Sequence, residues 1–235
     1  ATREAFPKTR ILVSVGGDGP SILGADFTAQ AEAATRSGAG LRITNEATDY
    51  AANYMLTRQV ASACRHYGTY FGIEPAGGVR DEGIVGRIYN AAASGADELF
   101  TYDPEPAGGR AARYDLLRPF LVKREPAVDV GLFLSRTSWD LDLLGGFFDT
   151  GRRLRAVTDF EIVDERLVAA GALQRLRVLV WAAGPVVEAN LAPALEEWVR
   201  AGGLLLVAGL PAIESVEGSR APEQALLPQA ALGGQ

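Results

Sequence analysis

Two carboxylates in the first third of the chain, Glu74 and Glu46, stand where bond-cleaving acid–base chemistry could be done. Glu74 ends the apolar, aromatic run Tyr70–Ile73 and is followed at once by Pro75, Gly77 and Gly78. Glu46 follows Asn45 at the end of the run Gly40–Thr44. Glycoside hydrolysis uses such a pair. One carboxylic acid protonates the leaving oxygen and the other carboxylate attacks, with the two about 5 Å apart in retaining enzymes. Neighbouring parallel strands lie about 4.8 Å apart, so acids on adjacent strand ends can reach that separation. The residues alone leave other assignments open. Glu46 could hold a sugar hydroxyl or cap the helix after it, and Glu74 could be a solvated acid on a strand-to-helix turn.

Two further stretches invite a chemical reading. Gly16-Gly17-Asp18-Gly19 follows a strand and resembles the Gly-Gly-Asp-Gly of NAD kinases and lipid kinases, which implies nucleotide binding. That family continues with Thr, whereas Pro20 stands here and lacks an amide donor. No Lys-Ser/Thr follows, which excludes a Walker P-loop, and a glycine turn at a sheet rim is the alternative. The chain has one cysteine, Cys64, and one histidine, His66, so a His/Cys zinc site is excluded and no metal or cofactor is expected. Cys64 lies on an apolar helical stripe and reads as core. His66 lies off that stripe near the helix end, where a cation suits the dipole.

The elements that must position these groups alternate. Strands are expected at Ile11–Val15, Gly40–Thr44, Tyr70–Ile73 and Glu98–Tyr102. Helices are expected from Asp26 to Arg36, from Asp49 to Gly68 and from Asp81 to about Ala92. Alternation at this pitch predicts parallel β/α units. Every strand then ends in polar or acidic residues on one rim: Asp18, Asn45 with Glu46, Glu74, and Tyr102 with Asp103. A loop from Pro104 to Gly109, a helix over Tyr114–Val122 and a linker at Lys123–Ala127 lead to a second α/β block. Its strands are Asp129–Leu134, Phe160–Val163, Leu176–Trp181 and Leu204–Ala208, the last read as central. Its helices carry Leu143, Leu144, Phe147 and Phe148, then Leu191, Leu195, Trp198 and Val199 with Asn190 as N-cap. This pattern predicts a doubly wound, flavodoxin-like sheet. Residues 217–235 read as loop.

Composition bounds the rest. Of 235 residues 48% are hydrophobic, enough for a packed core. The net charge is −6 and the arginines are scattered, which argues against a nucleic-acid partner. No apolar run approaches the length of a membrane span. A lone cysteine permits no intrachain disulfide and fits a reducing compartment, the cytoplasm rather than the exterior. The start, Ala1-Thr2-Arg3-Glu4-Ala5, lacks methionine and a signal-like apolar core, and reads as an interior cut in a longer chain.

On these residues the chain resembles a clan A glycoside hydrolase, closest to family 42 β-galactosidases, over roughly residues 10 to 210. Ile73-Glu74-Pro75-Ala76-Gly77 resembles the family's nucleophile segment after the seventh barrel strand. Ile88 to Asp97 resembles its next helix and the Gly-Ala-Asp entry to strand eight. Val130 to Ala208 resembles its trimerisation domain, an amidotransferase-like fold with Ala182 and Ala183 where amidotransferases place a cysteine. The resemblance implies a fold of two parts. Residues 1–125 would be the C-terminal half of a TIM barrel, a partial (β/α)8 fold of about strands 5–8. Residues 126–235 would be the flavodoxin-like domain. It also implies Glu74 as nucleophile, a carbohydrate substrate bound by Asn45, Asp18, Tyr102 and Asp103, and a homotrimer. Asn45-Glu46 matches the family's Asn-Glu acid/base dipeptide, yet only one helix and one strand separate it from Glu74. Either Glu46 has taken that role, or the first four strands and their acid belong to a missing first half. A non-catalytic carbohydrate-binding or oligomerising piece is the second reading.

Overall fold

The computed structural model describes residues 2–16, 24–45, 49–75, 81–100, 116, 119, 122, 125–210 and 212–218. The chain is mixed α/β with parallel sheets and divides into two compact units. One comprises Ala1–Asp18 and Ala25–Ala127. The other comprises Val128–Gln235 with Gly19–Gly24.

The first unit begins with a short helix, α1 (Thr2–Ala5), and a strand, β1 (Leu12–Gly16). Then follow α2 (Phe27–Arg36), β2 (Gly40–Asn45), α3 (Tyr50–Tyr67), β3 (Phe71–Pro75), α4 (Asp81–Ala93) and β4 (Glu98–Leu99). The four strands lie side by side in chain order, all parallel. The helices start and stop where local chemistry dictates. Asp26 and Asp49 accept the orphan amides of Ala29 and Ala52 at 2.8 Å, and Gly68 ends α3 in the left-handed region at φ 71.

Side chains alternate across a strand, and here the two faces differ in kind. Val15, Leu41, Ile43, Phe71 and Ile73 pack into one apolar core with Phe27, Ala31, Val60 and Cys64 from α2 and α3. Burial pushes the Cys64 thiol up to about 12, so it stays a protonated core group. The opposite face carries Ser14, Arg42, Thr44 and Glu74, with glycines at 16, 40 and 72. Toward the strand starts this face is closed by Tyr70. Its ring occupies the space over Gly40, where a Cβ would come within 2.4 Å of it. Its hydroxyl bonds Ile11 at both the carbonyl and the amide, at 2.6 and 2.9 Å. Asp97, of the Gly-Ala-Asp stretch, has a structural task. Its carboxylate accepts the Phe71 amide at 3.3 Å and pairs with Arg10 at 3.7 Å, tying the start of β4 to β3.

The second unit holds a parallel sheet of β5 (Val130–Leu134), β6 (Glu161–Asp164), β7 (Val178–Trp181) and β9 (Leu204–Val207) in the order β6-β5-β7-β9. A separate pair joins β8 (Val186–Val187) to β10 (Glu214–Ser215). Three details depart from the sequence expectation. The Leu204 strand lies at the sheet edge among the described residues, with Leu204 51% and Leu206 44% exposed, so its apolar run does not mark a central position. The helix expected through Leu143–Phe148 is two helices, α5 (Arg136–Asp140) and α6 (Phe147–Arg155). They are parted by a turn in which Asp142 takes φ 60 and Leu143 is exposed. Asn190 precedes α8 (Leu191–Arg200) in a helical conformation, which turns its amide to Glu188 at 3.2 Å instead of capping.

Between β6 and β7 lies α7 (Glu165–Ala169), whose first residue is a buried acid. The Glu165 carboxylate accepts from Arg136 N at 2.9 Å and from Ser135 Oγ at 3.1 Å, at the start of α5. Burial nevertheless pushes this carboxyl up from 4.5 to about 6, against the pull of the Arg136 amide. A folded-state value above the unfolded one means the folded protein holds the proton more tightly. The stability this supplies is full below pH 4.5 and is lost as pH rises through about 6, on the order of 2 kcal/mol. Glu165→Gln removes that component. The stability difference between wild type and variant, from urea unfolding at a series of pH values, is expected to shift by this amount from pH 4 to pH 7. Parallel curves would contradict it.

Candidate active site

The carboxyl ends of β1, β2 and β3 bring one set of polar groups together. Gly16, Thr44 and Glu74 share one level across the three strands, and Ser14, Arg42 and Gly72 share the level below. Glu74 is 3% exposed. Its Oε2 lies 2.6 Å from Arg42 Nε. That N–H does not point along the line to the oxygen, so the contact is an ion pair rather than an aligned hydrogen bond. Thr44 Oγ1 makes a long contact to the same oxygen at 3.5 Å. Arg42 is itself held on two sides. Its Nη2 donates to Ser14 Oγ at 2.8 Å, and the guanidinium lies 5.1 Å from the centre of the Phe100 ring.

A carboxylate held by a guanidinium at a strand end, on the face opposite the one that packs against α2 and α3, can act as a nucleophile or as an electrostatic anchor for a polar ligand. Of the sequence-derived site residues, Glu74 is placed here. Asn45 ends β2 opposite Pro75, one position beyond Thr44. Asp18, Glu46, Tyr102 and Asp103 lie outside the described residues, as do the rest of the Gly16–Gly19 turn and most of Tyr114–Val122. Sequence reasoning missed Arg42, Thr44 and Ser14. The alternation Leu41-Arg42-Ile43-Thr44 carried the signal, because two apolar residues pointing to the core send the two polar ones to the other face.

The carboxyl ends of the second sheet are occupied by a closed network. Ser135 and Ser138 are fully buried. Their hydroxyls both reach Val186 O at 2.6 Å, and Ser138 Oγ accepts the Val186 amide at 2.8 Å. Gly184, at φ 74, sits against them, and a Cβ there would come within 2.8 Å of Ser135 Cβ. These serines are used in packing, and Ala182 and Ala183 supply no nucleophile. Among the described residues no group of three His, Cys, Asp or Glu side chains could hold a metal ion. No helix there is long and apolar enough to cross a membrane.

Comparison with known proteins agrees with the fold and stops there. No protein-family model matches the chain, and no curated protein matches it in sequence. Among solved structures it is similar to a catalytic mutant of a GH42 β-galactosidase from G. stearothermophilus, with a TM-score of 0.60 and 14% identity. The match covers 88% of this chain and 38% of that one, so the chain spans well under half the length of the β-galactosidase. The similarity establishes a relationship of fold with a glycoside hydrolase.

Proposed function

We propose that the chain is the C-terminal part of a retaining, β-galactosidase-like glycoside hydrolase, with Glu74 as its nucleophile. In this reading the first unit supplies about strands 5–8 of a (β/α)8 barrel. Sequential parallel strands whose helices, among the described residues, pack on one apolar face support it, because the helices of a barrel form an outer ring on one side of its sheet. The second unit is a flavodoxin-like domain of the trimerisation type, supported by its strand order, which follows 2-1-3-4.

The observation that carries the proposal is the placement of Glu74 at a strand's carboxyl end, where barrel enzymes put catalytic groups. Its carboxylate attacks the anomeric carbon while a second carboxylic acid gives its proton to the leaving oxygen. Water then releases the sugar from the glycosyl ester. The second acid is Glu46 or a residue on the barrel's other half. Asn45, Asp18, Tyr102 and Asp103 bind sugar hydroxyls, and the working form is a homotrimer.

A 2-deoxy-2-fluoro-galactosyl fluoride tests this directly: the fluorine at C2 slows both steps, and the fluoride leaving group at C1 speeds only formation of the ester, which then accumulates. One sugar mass is expected on the peptide containing Glu74, seen by mass spectrometry after proteolysis. The burial of Glu74 beside Arg42 favours a second reading, a carbohydrate-binding piece without turnover. Binding of galactose by calorimetry with no covalent label would select that reading.

A further inference from the structure

Both contacts of the Glu74 carboxylate in the described structure fall on one oxygen. Arg42 Nε stands 2.6 Å from Oε2, and Thr44 Oγ1 stands 3.5 Å from the same atom. The terminal torsion of a glutamate is broad and roughly two-fold, so a free carboxylate interchanges its oxygens. A guanidinium fixed on one side removes that freedom. Arg42 is fixed: Ser14 on β1 accepts from Nη2 at 2.8 Å, and the Phe100 ring just beyond β4 lies under the guanidinium at 5.1 Å. Glu74, Arg42, Thr44 and Ser14 are all rooted on paired strands, which hold side chains more sharply than loops do.

We infer that Arg42 is the positioning residue of this site: it pins Oε2 of Glu74 and presents Oε1 as the attacking oxygen. The inference rests on the glycosidase reading and adds what that reading lacks, the group that orients the nucleophile. Lysine cannot reproduce it fully, because an ammonium is a point charge without the planar fork that meets Ser14 and Glu74 together.

The test is steady-state kinetics of the full-length protein on a nitrophenyl galactoside. Arg42→Ala is expected to lower kcat about 100-fold, the scale of loss for a reacting group displaced by about 1 Å, with KM within about threefold. Arg42→Lys is expected to recover about tenfold of that loss, and added guanidinium is expected to raise the kcat of Arg42→Ala. A residue needed only for folding would lower the amount of active protein without rescue by guanidinium. An unchanged kcat in Arg42→Ala, with turnover still abolished by Glu74→Gln, overturns the inference and leaves the reading standing. Turnover that survives Glu74→Gln, or is absent from the wild type, removes the reading and the inference with it.

Discussion

Glu74→Gln is expected to abolish glycoside turnover, by on the order of 10⁴-fold or more in kcat, the scale seen when a nucleophile is removed from an enzyme. The amide has the size and shape of the carboxylate, so the fold around it is retained. Its carbonyl dipole stays beside Arg42, whose side chain is 29% exposed, which keeps the loss of stability below the cost of stranding a fully buried charge. What it cannot do is form a glycosyl ester, and that step has no substitute in a retaining mechanism. A companion variant, Glu74→Gly, opens room for an external nucleophile. With azide it is expected to regain turnover and to yield a glycosyl azide whose anomeric configuration is opposite to that of the normal product. Reversed-phase separation and the anomeric proton coupling report that product. Wild-type turnover in Glu74→Gln would remove residue 74 from the chemistry and end the glycosidase assignment.

The readability of this chain divides along the range of the information. What depends on neighbours within a turn or two was legible. The alternation in Gly40–Thr44, the stripe through Val60 and Cys64, and the Gly68 stop each fix an element locally, and the structure has those elements. What depends on pairing across strands was not. The level shared by Gly16, Thr44 and Glu74 exists only once β1, β2 and β3 are in register, and no short window of sequence contains it. Arg42 shows both ranges: local alternation puts it on the polar face, but only the register places it beside Glu74. Leu204–Val207 misled in the other direction: an apolar run gives strand propensity, but centre or edge is decided by which strands lie beside it. The Gly-Ala-Asp stretch was read through its resemblance, whereas its acid serves the Phe71 amide and Arg10.

The same contrast between local pattern and long-range support governs the second unit, and Trp181 exposes it. Trp181 ends β7, is 1% exposed, and meets Phe133 of β5 edge to face at 4.9 Å. Its indole N–H lies 3.1 Å from both Ala183 O and Gly184 O, so the ring also holds the turn that follows the strand. On the other side of that turn stand Ser135 and Ser138. Trp181→Ala removes the ring, leaves a cavity and frees two buried carbonyls, at a cost of about 3–5 kcal/mol. Set against the roughly 5–15 kcal/mol that hold a domain, this loss brings the unit close to unfolding. Trp181→Phe separates the causes. It keeps most of the packing on Phe133 and loses only the donor, for about 1–2 kcal/mol. All three tryptophans, 139, 181 and 198, lie in the second unit, so fluorescence excited selectively at tryptophan follows that unit, whereas the tyrosines of the first unit stay silent. Urea unfolding read by fluorescence is expected to order the midpoints as wild type, then Phe, then Ala, with the Ala gap the larger. Equal losses in the two variants would assign the stability to the N–H and deny the ring its part. The same contacts fix the Ala182–Gly184 turn at the carboxyl end of β7, so the ring serves both the sheet and the loop that leaves it.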